Sequence, residues 1–242
     1  MPAAIITGSS RGIGRAIATR FAADGYDVAV NYHRRADAAA AVAEEIRALG
    51  REAITVGADV STADGARSLV DVAVEAFDGI DHLVNNAGID QHLYTDELPV
   101  EDFDRVMDVN VTSMFAMTKA ALSSLRASSN EPSVSNLSSI LAHTGAPIEC
   151  HYAASKGAVI SLTRSHAREF APSVRVNAIA PGHIETDMTA DRSAAERERQ
   201  RAAIPVERFG QPEDVADAAA YLRDATFVTG EVVNVNGGEA MR

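Results

Sequence analysis

Apolar and polar positions along the chain follow two alternating regimes. Short runs dominated by apolar or β-branched residues read as strands: "AAIIT" (3–7), "DVAVNY" (27–32), "EAITVGADV" (52–60), "DHLVNNAG" (81–88), "PSVSNLSS" (132–139), "SVRVNAIAPG" (173–182) and "GEVVNVNGG" (230–238). Between them lie stretches with helical periodicity, from Ile13 to about Ala23, over 36–50, over 66–77 and from about Val100 to Leu125. A further helix starts near residue 150. The helix over 36–50 closes on Gly50, which suits the left-handed position just past a helix end. The early strands are continuous apolar runs, as expected where both faces of a sheet are covered. The rhythm predicts an α/β chain: a doubly wound parallel sheet of seven strands with helices on both faces, linked by right-handed crossovers. It reads as one domain over 1–242, with no repeat or linker. The stretch 183–214 is polar and carries charges of both signs; following the sixth strand, it is expected to form a lid over the carboxyl ends of the strands.

Two short motifs stand out against this frame. "TGSSRGIG" (7–14) places Gly8, Gly12 and Gly14 between the first strand and the first helix. Glycines there allow a tight turn and close backbone approach, and they aim a helix N-terminus at an anion such as a pyrophosphate. The spacing is G-x-x-x-G-x-G rather than the commoner G-x-G-x-x-G. "HYAASKG" (151–157) puts Tyr152 and Lys156 one helical turn apart, with Ala153, Ala154 and Ser155 between them. Two unit charges about 4 Å apart at an effective dielectric near 20 interact by roughly 4 kcal/mol, equal to about three pKa units before desolvation. The lysine is therefore expected to lower the tyrosine pKa into a range useful for acid–base work.

Composition narrows the field. The 242-residue chain carries a formal charge of −12, so polyphosphate backbones and anionic membrane surfaces are poor partners. Lysine occurs only at Lys119 and Lys156; a saline cytoplasm or codon bias would each account for that. Cys150 is the single cysteine, which excludes an intrachain disulfide. The start lacks a basic n-region, and no run approaches about 18 apolar residues, so a cytoplasmic protein without a membrane span is expected. The histidines at 82, 92, 143 and 183 show no metal-ligand spacing, and no metal is expected.

"TGSSRGIG", "NNAG" (85–88), "NLSS" (136–139), "YAASK" (152–156) and "PG" (181–182), in this order, resemble the short-chain dehydrogenase/reductase family over essentially the whole chain. The closest resemblance within it is to the 3-oxoacyl-(acyl carrier protein) reductases; sugar, polyol and acetoacetyl-CoA reductases share nearly the same motifs. The resemblance implies a Rossmann-type fold and a nicotinamide cofactor. It implies that Gly8, Ser10, Arg11, Gly12, Ile13 and Gly14 hold that cofactor, together with Tyr32 and Arg34. Asp59 and Val60 would flank the adenine, and Asn86, Ala87 and Gly88 would line the middle. Pro181, Gly182, Ile184 and Thr186 would reach the nicotinamide end, where Tyr152 and Lys156 also touch the cofactor. It further implies a catalytic set of Asn110, Ser139, Tyr152 and Lys156, with Asn110 marking a local helix distortion whose freed carbonyl holds a water leading to the lysine, and a homotetramer built on the helices around 100–125 and 152–170. Ser138 competes with Ser139 but should face the other way by strand alternation.

The cofactor's identity can be read from "VNYHRR" (30–35). No carboxylate ends the second strand, where it would hold the ribose hydroxyls of NAD, and Arg34 and Arg35 follow, with Arg11 in the glycine turn. Guanidinium groups grip phosphate, so NADP(H) is preferred over NAD(H). The expected function is NADPH-dependent reduction of a ketone, with a 3-oxoacyl thioester on acyl carrier protein or CoA as favoured substrate. Two competitors are an NAD(P)-dependent sugar, polyol or secondary-alcohol dehydrogenase and, more distantly, a non-catalytic cofactor-binding sensor. Cys150 and His151 are read as shaping the pocket mouth. Arg192, Arg197, Arg199 and Arg201, interleaved with Glu196 and Glu198, are read as a solvated mixed-charge helix rather than a docking site for an acidic carrier.

Overall fold

The computed structural model describes residues 1–186 and 193–241. Seven parallel strands form one sheet: β1 (Ala3–Ile6), β2 (Asp27–Tyr32), β3 (Ala53–Gly57), β4 (His82–Asn85), β5 (Ser133–Leu137), β6 (Arg175–Pro181) and β7 (Val232–Val235). Their order is β3-β2-β1-β4-β5-β6-β7. Every residue of β1, β4, β5 and β6 is buried, the burial expected of strands covered on both sides.

Side chains alternate between the two faces and so divide the core in two. Ile6, Val28 and Val30 pack with α1 (Gly12–Ala23), α2 (Ala36–Ala48) and α9 (Pro212–Asp224). Ile5, Ala29, Leu83, Val134 and Val176 pack with α3 (Ala63–Phe77), α5 (Ser113–Ala127) and α7 (Cys150–Phe170). The helix ends follow local chemistry. Thr62 caps α3 by accepting from the Gly65 N–H at 3.0 Å, which starts the helix ahead of the expected 66. Gly50 follows α2 at φ +79°, as its position in the sequence foretold.

The sequence pattern treats 100–125 as one helix. The chain instead forms α4 (Val100–Met107), a π-helical turn (Asp108–Thr112) and then α5, with the break centred on Asn110. A short α6 (Leu141–Thr144) precedes α7. In the expected lid, α8 (Ala194–Ala203) starts with a capping box between Ser193 and Glu196. Residues 187–192 of that lid, including Arg192, lie outside the described residues. Arg201 pairs with Glu198 at 2.6 Å and Arg197 with Glu185 at 2.5 Å, in keeping with a mixed-charge surface helix. No helix among the described residues is long and apolar enough to cross a membrane.

Strand order reverses between β1 and β4. In open parallel sheets the crevice at such a switch point, beyond the carboxyl ends of the strands, is where ligands bind.

Candidate active site

A cleft of about 1240 Å³ opens at this switch point. Every cofactor-binding residue expected from the sequence lines it: the glycine turn, Tyr32, Arg34, Asp59, Val60, Asn86 to Gly88, Tyr152, Lys156, Pro181, Gly182, Ile184 and Thr186. Ser139 lines it as well. Asn110, of the expected catalytic set, does not; it is fully buried behind the wall.

The glycine turn is shaped by close approach. Gly8 and Gly12 have φ of +63° and +54°. A Cβ at Gly14 would lie 2.5 Å from Asn86 Nδ2 and 2.6 Å from the Gly8 carbonyl, so only glycine fits. No side chain caps α1, and its first residues line the cleft. Such a helix start offers N–H groups to an anion. With Arg11, Arg34 and Arg35 also on the wall, these residues fit a phosphorylated dinucleotide.

Two buried residues that sequence reasoning passed over hold this turn in place. Thr7 Oγ1 accepts from the N–H groups of Asn86 and Ala87, both at 2.9 Å, and so ties the end of β1 to the end of β4. Asn31 Oδ1 accepts from the Gly8 N–H at 3.0 Å, while its Nδ2 donates to the carbonyls of Val56 and Ala58, both at 3.2 Å. The available signal was a lone polar residue inside an apolar strand, "VAVNY". Asp59 is also a local cap: it accepts from the Ser61 N–H and hydroxyl, which with His33 and Arg34 nearby keeps its carboxyl below the usual range.

The reacting groups converge on the start of α7. Lys156 Nζ lies 5.4 Å from the centre of the Tyr152 ring and donates to the Leu137 carbonyl at 2.8 Å. Ser139 accepts from the Leu141 N–H at 3.2 Å, capping the turn after β5, and stands close enough to Tyr152 to lower its pKa. Ser138 points elsewhere, donating to the Lys156 carbonyl at 2.8 Å. Asn110 clamps the loop after β4: its Oδ1 accepts from the Ile89 N–H at 2.8 Å, and its Nδ2 donates to the Ile89 carbonyl and to Ser155 Oγ, each at 3.0 Å. A Cβ at Gly88 would lie 3.2 Å from Asn110 Oδ1 and 3.5 Å from Lys156 Nζ, which brings the two to one spot.

One expectation is corrected. The tyrosine pKa is raised in this structure, not lowered. Burial is the largest cause; the charges of Asp90 and Glu149 add to it, and only the Ser139 hydrogen bond opposes. Burial likewise holds Lys156 down to about 8. A desolvated amine that is bonded to a carbonyl and 5.4 Å from the ring gives up much of the Coulombic leverage assumed for an ammonium at 4 Å.

Chain folding also creates a grouping that spacing hides. His92 Nε2 stands 3.2 Å from Asp90 Oδ2 and 2.8 Å from Glu149 Oε1. These are three groups of metal-ligand type within 4.8 Å of one another, although the sequence shows no such spacing. The pocket-mouth residues part company: Cys150 is partly exposed and takes a hydrogen bond from Thr95, whereas His151 is fully buried.

A dinucleotide cleft ending at a Ser–Tyr–Lys constellation defines an oxidoreductase that works on a carbonyl or its alcohol. A family model described as enoyl-(acyl carrier protein) reductase matches residues 8–239. The chain is 42% identical over 240 residues to glucose 1-dehydrogenase 2 of Bacillus subtilis, covering 97% of this chain and 93% of that protein. It is 41% identical to a 3-oxoacyl-(acyl-carrier-protein) reductase of Staphylococcus aureus, covering 98% of each. A short-chain dehydrogenase of Burkholderia cenocepacia, solved in complex with NADP, superimposes with a TM-score of 0.92 at 38% identity, covering 98% of this chain and 97% of that one. The chain belongs to the short-chain dehydrogenase/reductase family and is an oxidoreductase acting on CH–OH or C=O groups.

Proposed function

We propose that the protein interconverts a ketone and a secondary alcohol with NADP(H), using Tyr152, Ser139, Lys156 and Asn110. The observation that carries the reading is the meeting of Ser139, Tyr152 and Lys156 at one end of a cleft whose other end holds Arg34 and the glycine turn. Bound NADP(H) supplies or accepts the hydride. Reduction of a carbonyl then needs one proton, and the Tyr152 hydroxyl donates it to the carbonyl oxygen. Burial raises the Tyr152 pKa, so the hydroxyl holds its proton at neutral pH and releases it only as negative charge develops on the substrate oxygen. The Ser139 hydroxyl donates to the same oxygen and stabilises the negative charge that develops on it. Lys156, whose pKa near 8 lies close to working pH, returns a proton toward Tyr152. Asn110 positions this end by fixing Ile89 and Ser155. In alcohol oxidation the same groups act in reverse.

Arg11, Arg34 and Arg35 support NADP(H) over NAD(H), and the NADP complex of the Burkholderia relative supports the same choice. For the substrate, likeness to the Staphylococcus reductase supports the 3-oxoacyl thioester expected from the sequence. Likeness to the Bacillus glucose dehydrogenase supports a sugar or polyol. A lid over 183–214 and a cytoplasmic homotetramer belong to the same proposal; Phe115, 48% exposed on α5, supports an assembly through that helix. A turnover screen over thioesters, small ketones and sugars, with NADP(H) and NAD(H) in parallel, tests the reading. It expects at least a tenfold higher kcat/KM with the phosphorylated cofactor. Preference for the unphosphorylated one would overturn the role given to Arg34.

A further inference from the structure

Beyond Pro181 the chain leaves β6, and residues 182–186 run along the cleft. Gly182, Ile184 and Thr186 line it, and a Cβ on Gly12 of the glycine turn would lie 3.6 Å from the Thr186 methyl. A stretch this short keeps its place only if its outer side is held. Backbone bonds hold part of it. The Gly182 N–H donates to the Val235 carbonyl, the Gly210 N–H to the His183 carbonyl and the Glu185 N–H to the Gly210 carbonyl, each at 2.9 Å.

The C-terminal turn supplies the rest. Asn236, buried just past β7, shapes it: its Oδ1 accepts from the Gly238 N–H at 3.0 Å and its Nδ2 donates to the Ala240 carbonyl at 2.8 Å. The turn closes directly on Gly182, where an added Cβ would meet Asn236 Cβ at 2.8 Å and Glu239 Oε2 at 3.3 Å. With no side chain between them, a shift of the turn passes straight to the Gly182 backbone. From the same turn Glu239 Oε1 stands 3.4 Å from His183 Nε2. The His183 ring meets Phe209 edge-on at 5.8 Å, and the Arg197 guanidinium of α8 stacks on Phe209 at 4.9 Å. Glu239 Oε2 is shut off from solvent with no hydrogen-bond partner. A buried acceptor without a donor costs stability, so folding alone does not explain a carboxylate behind this wall.

We propose that Glu239 is a positioning residue for the nicotinamide half of the cofactor: through His183 and Gly182 it fixes the cleft-lining stretch 182–186 in the place that hydride transfer needs. The inference rests on the reading of the cleft as an NADP(H) site with its nicotinamide end at Pro181 to Thr186. Glu239 does not line the cleft and acts through those two residues. Small displacements of a positioned reactant slow its reaction by large factors.

The test measures binding of NADPH and of 2′,5′-ADP, a fragment that keeps the adenosine phosphates and lacks the nicotinamide. It uses the wild-type protein, Glu239→Ala, Glu239→Gln, His183→Ala and the double alanine variant. Glu239→Ala should weaken NADPH about tenfold and leave 2′,5′-ADP within twofold, which also checks the fold. The nicotinamide emission of bound NADPH should fall toward that of the free cofactor. Single-turnover hydride transfer to a ketone that the wild type reduces should slow by about 10–100-fold. Glu239→Gln keeps the oxygen facing His183 and the bulk against Gly182, and should recover to within threefold of wild type. The double variant should lose less than the product of the two single losses, because both residues act through one contact. Equal weakening of NADPH and 2′,5′-ADP, the mark of a merely structural role, or NADPH affinity within twofold of wild type in Glu239→Ala, overturns the positioning role and leaves the NADP(H) site standing. A wild type that neither binds NADPH nor reduces any ketone overturns the reading of the site and this inference with it.

Discussion

Asn110→Ala removes one side chain and uncouples three segments. The amide makes three hydrogen bonds, of 2.8, 3.0 and 3.0 Å, to Ile89 N–H, Ile89 C=O and Ser155 Oγ, from a position with no solvent exposure. A buried polar group stranded without a partner costs about 1–3 kcal/mol. Ile89 is only partly buried, so water can relieve its two groups and the low end of that range applies to each. With the buried Ser155 bond added at about 1 kcal/mol, the expected loss is roughly 3 kcal/mol. For a chain of this size that lowers Tm by roughly 6–12 °C. Urea unfolding and calorimetry at pH 7 measure it. Ser155→Ala alone should cost about 1 kcal/mol, and the double variant less than the sum, because the two share a bond. Activity should fall further than stability accounts for, since Ile89 lines the cleft and Asn110 and Lys156 meet at Gly88. A variant within 0.5 kcal/mol of wild type would refute the idea that Asn110 holds the loop.

Gly14→Ala should weaken NADPH binding more than tenfold and destabilise the fold by about 1–3 kcal/mol, because the added methyl meets the Gly8 carbonyl and the Asn86 amide; fluorescence titration giving a Kd within twofold of wild type would contradict this. Buried His82, bonded to Ser133 Oγ at 2.9 Å, has its pKa pushed down to about 4 by desolvation. The unfolded chain therefore takes up that proton first as pH falls below about 6.5. The stability the neutral ring contributes above that value is lost toward pH 4, amounting to about 2.5 kcal/mol by pH 4.5. Wild type should lose that much more than His82→Gln between pH 7 and 4.5 in urea melts, and parallel losses would show that His82 is not the group involved.

Much of this was legible because it is local. Continuous apolar runs gave the buried strands, and "TGSSRGIG" and "YAASK" mark the two ends of the cleft with residues adjacent in the chain. What escaped depends on which strand ends meet. Thr7 acquires its role only when β1 lies beside β4, and Asn31 only when the end of β2 lies against the segment after β3. Asp90, His92 and Glu149 come together through the pinning of two loops, which no spacing encodes. Helical periodicity runs on through 100–125 and does not show the π-turn at Asn110, where only the family resemblance implied a local distortion. The tyrosine's pKa went the opposite way because a charge pair can be counted from sequence, whereas the desolvation of each partner cannot.

The account stands on Tyr152 as the proton donor. Tyr152→Phe keeps the ring and removes the hydroxyl. Single-turnover oxidation of bound NADPH by a ketone substrate, followed at 25 °C, should slow by about 10²–10⁴-fold, the range for loss of a general acid, while NADPH affinity stays within a few-fold. A hydride-transfer rate within tenfold of wild type would contradict it.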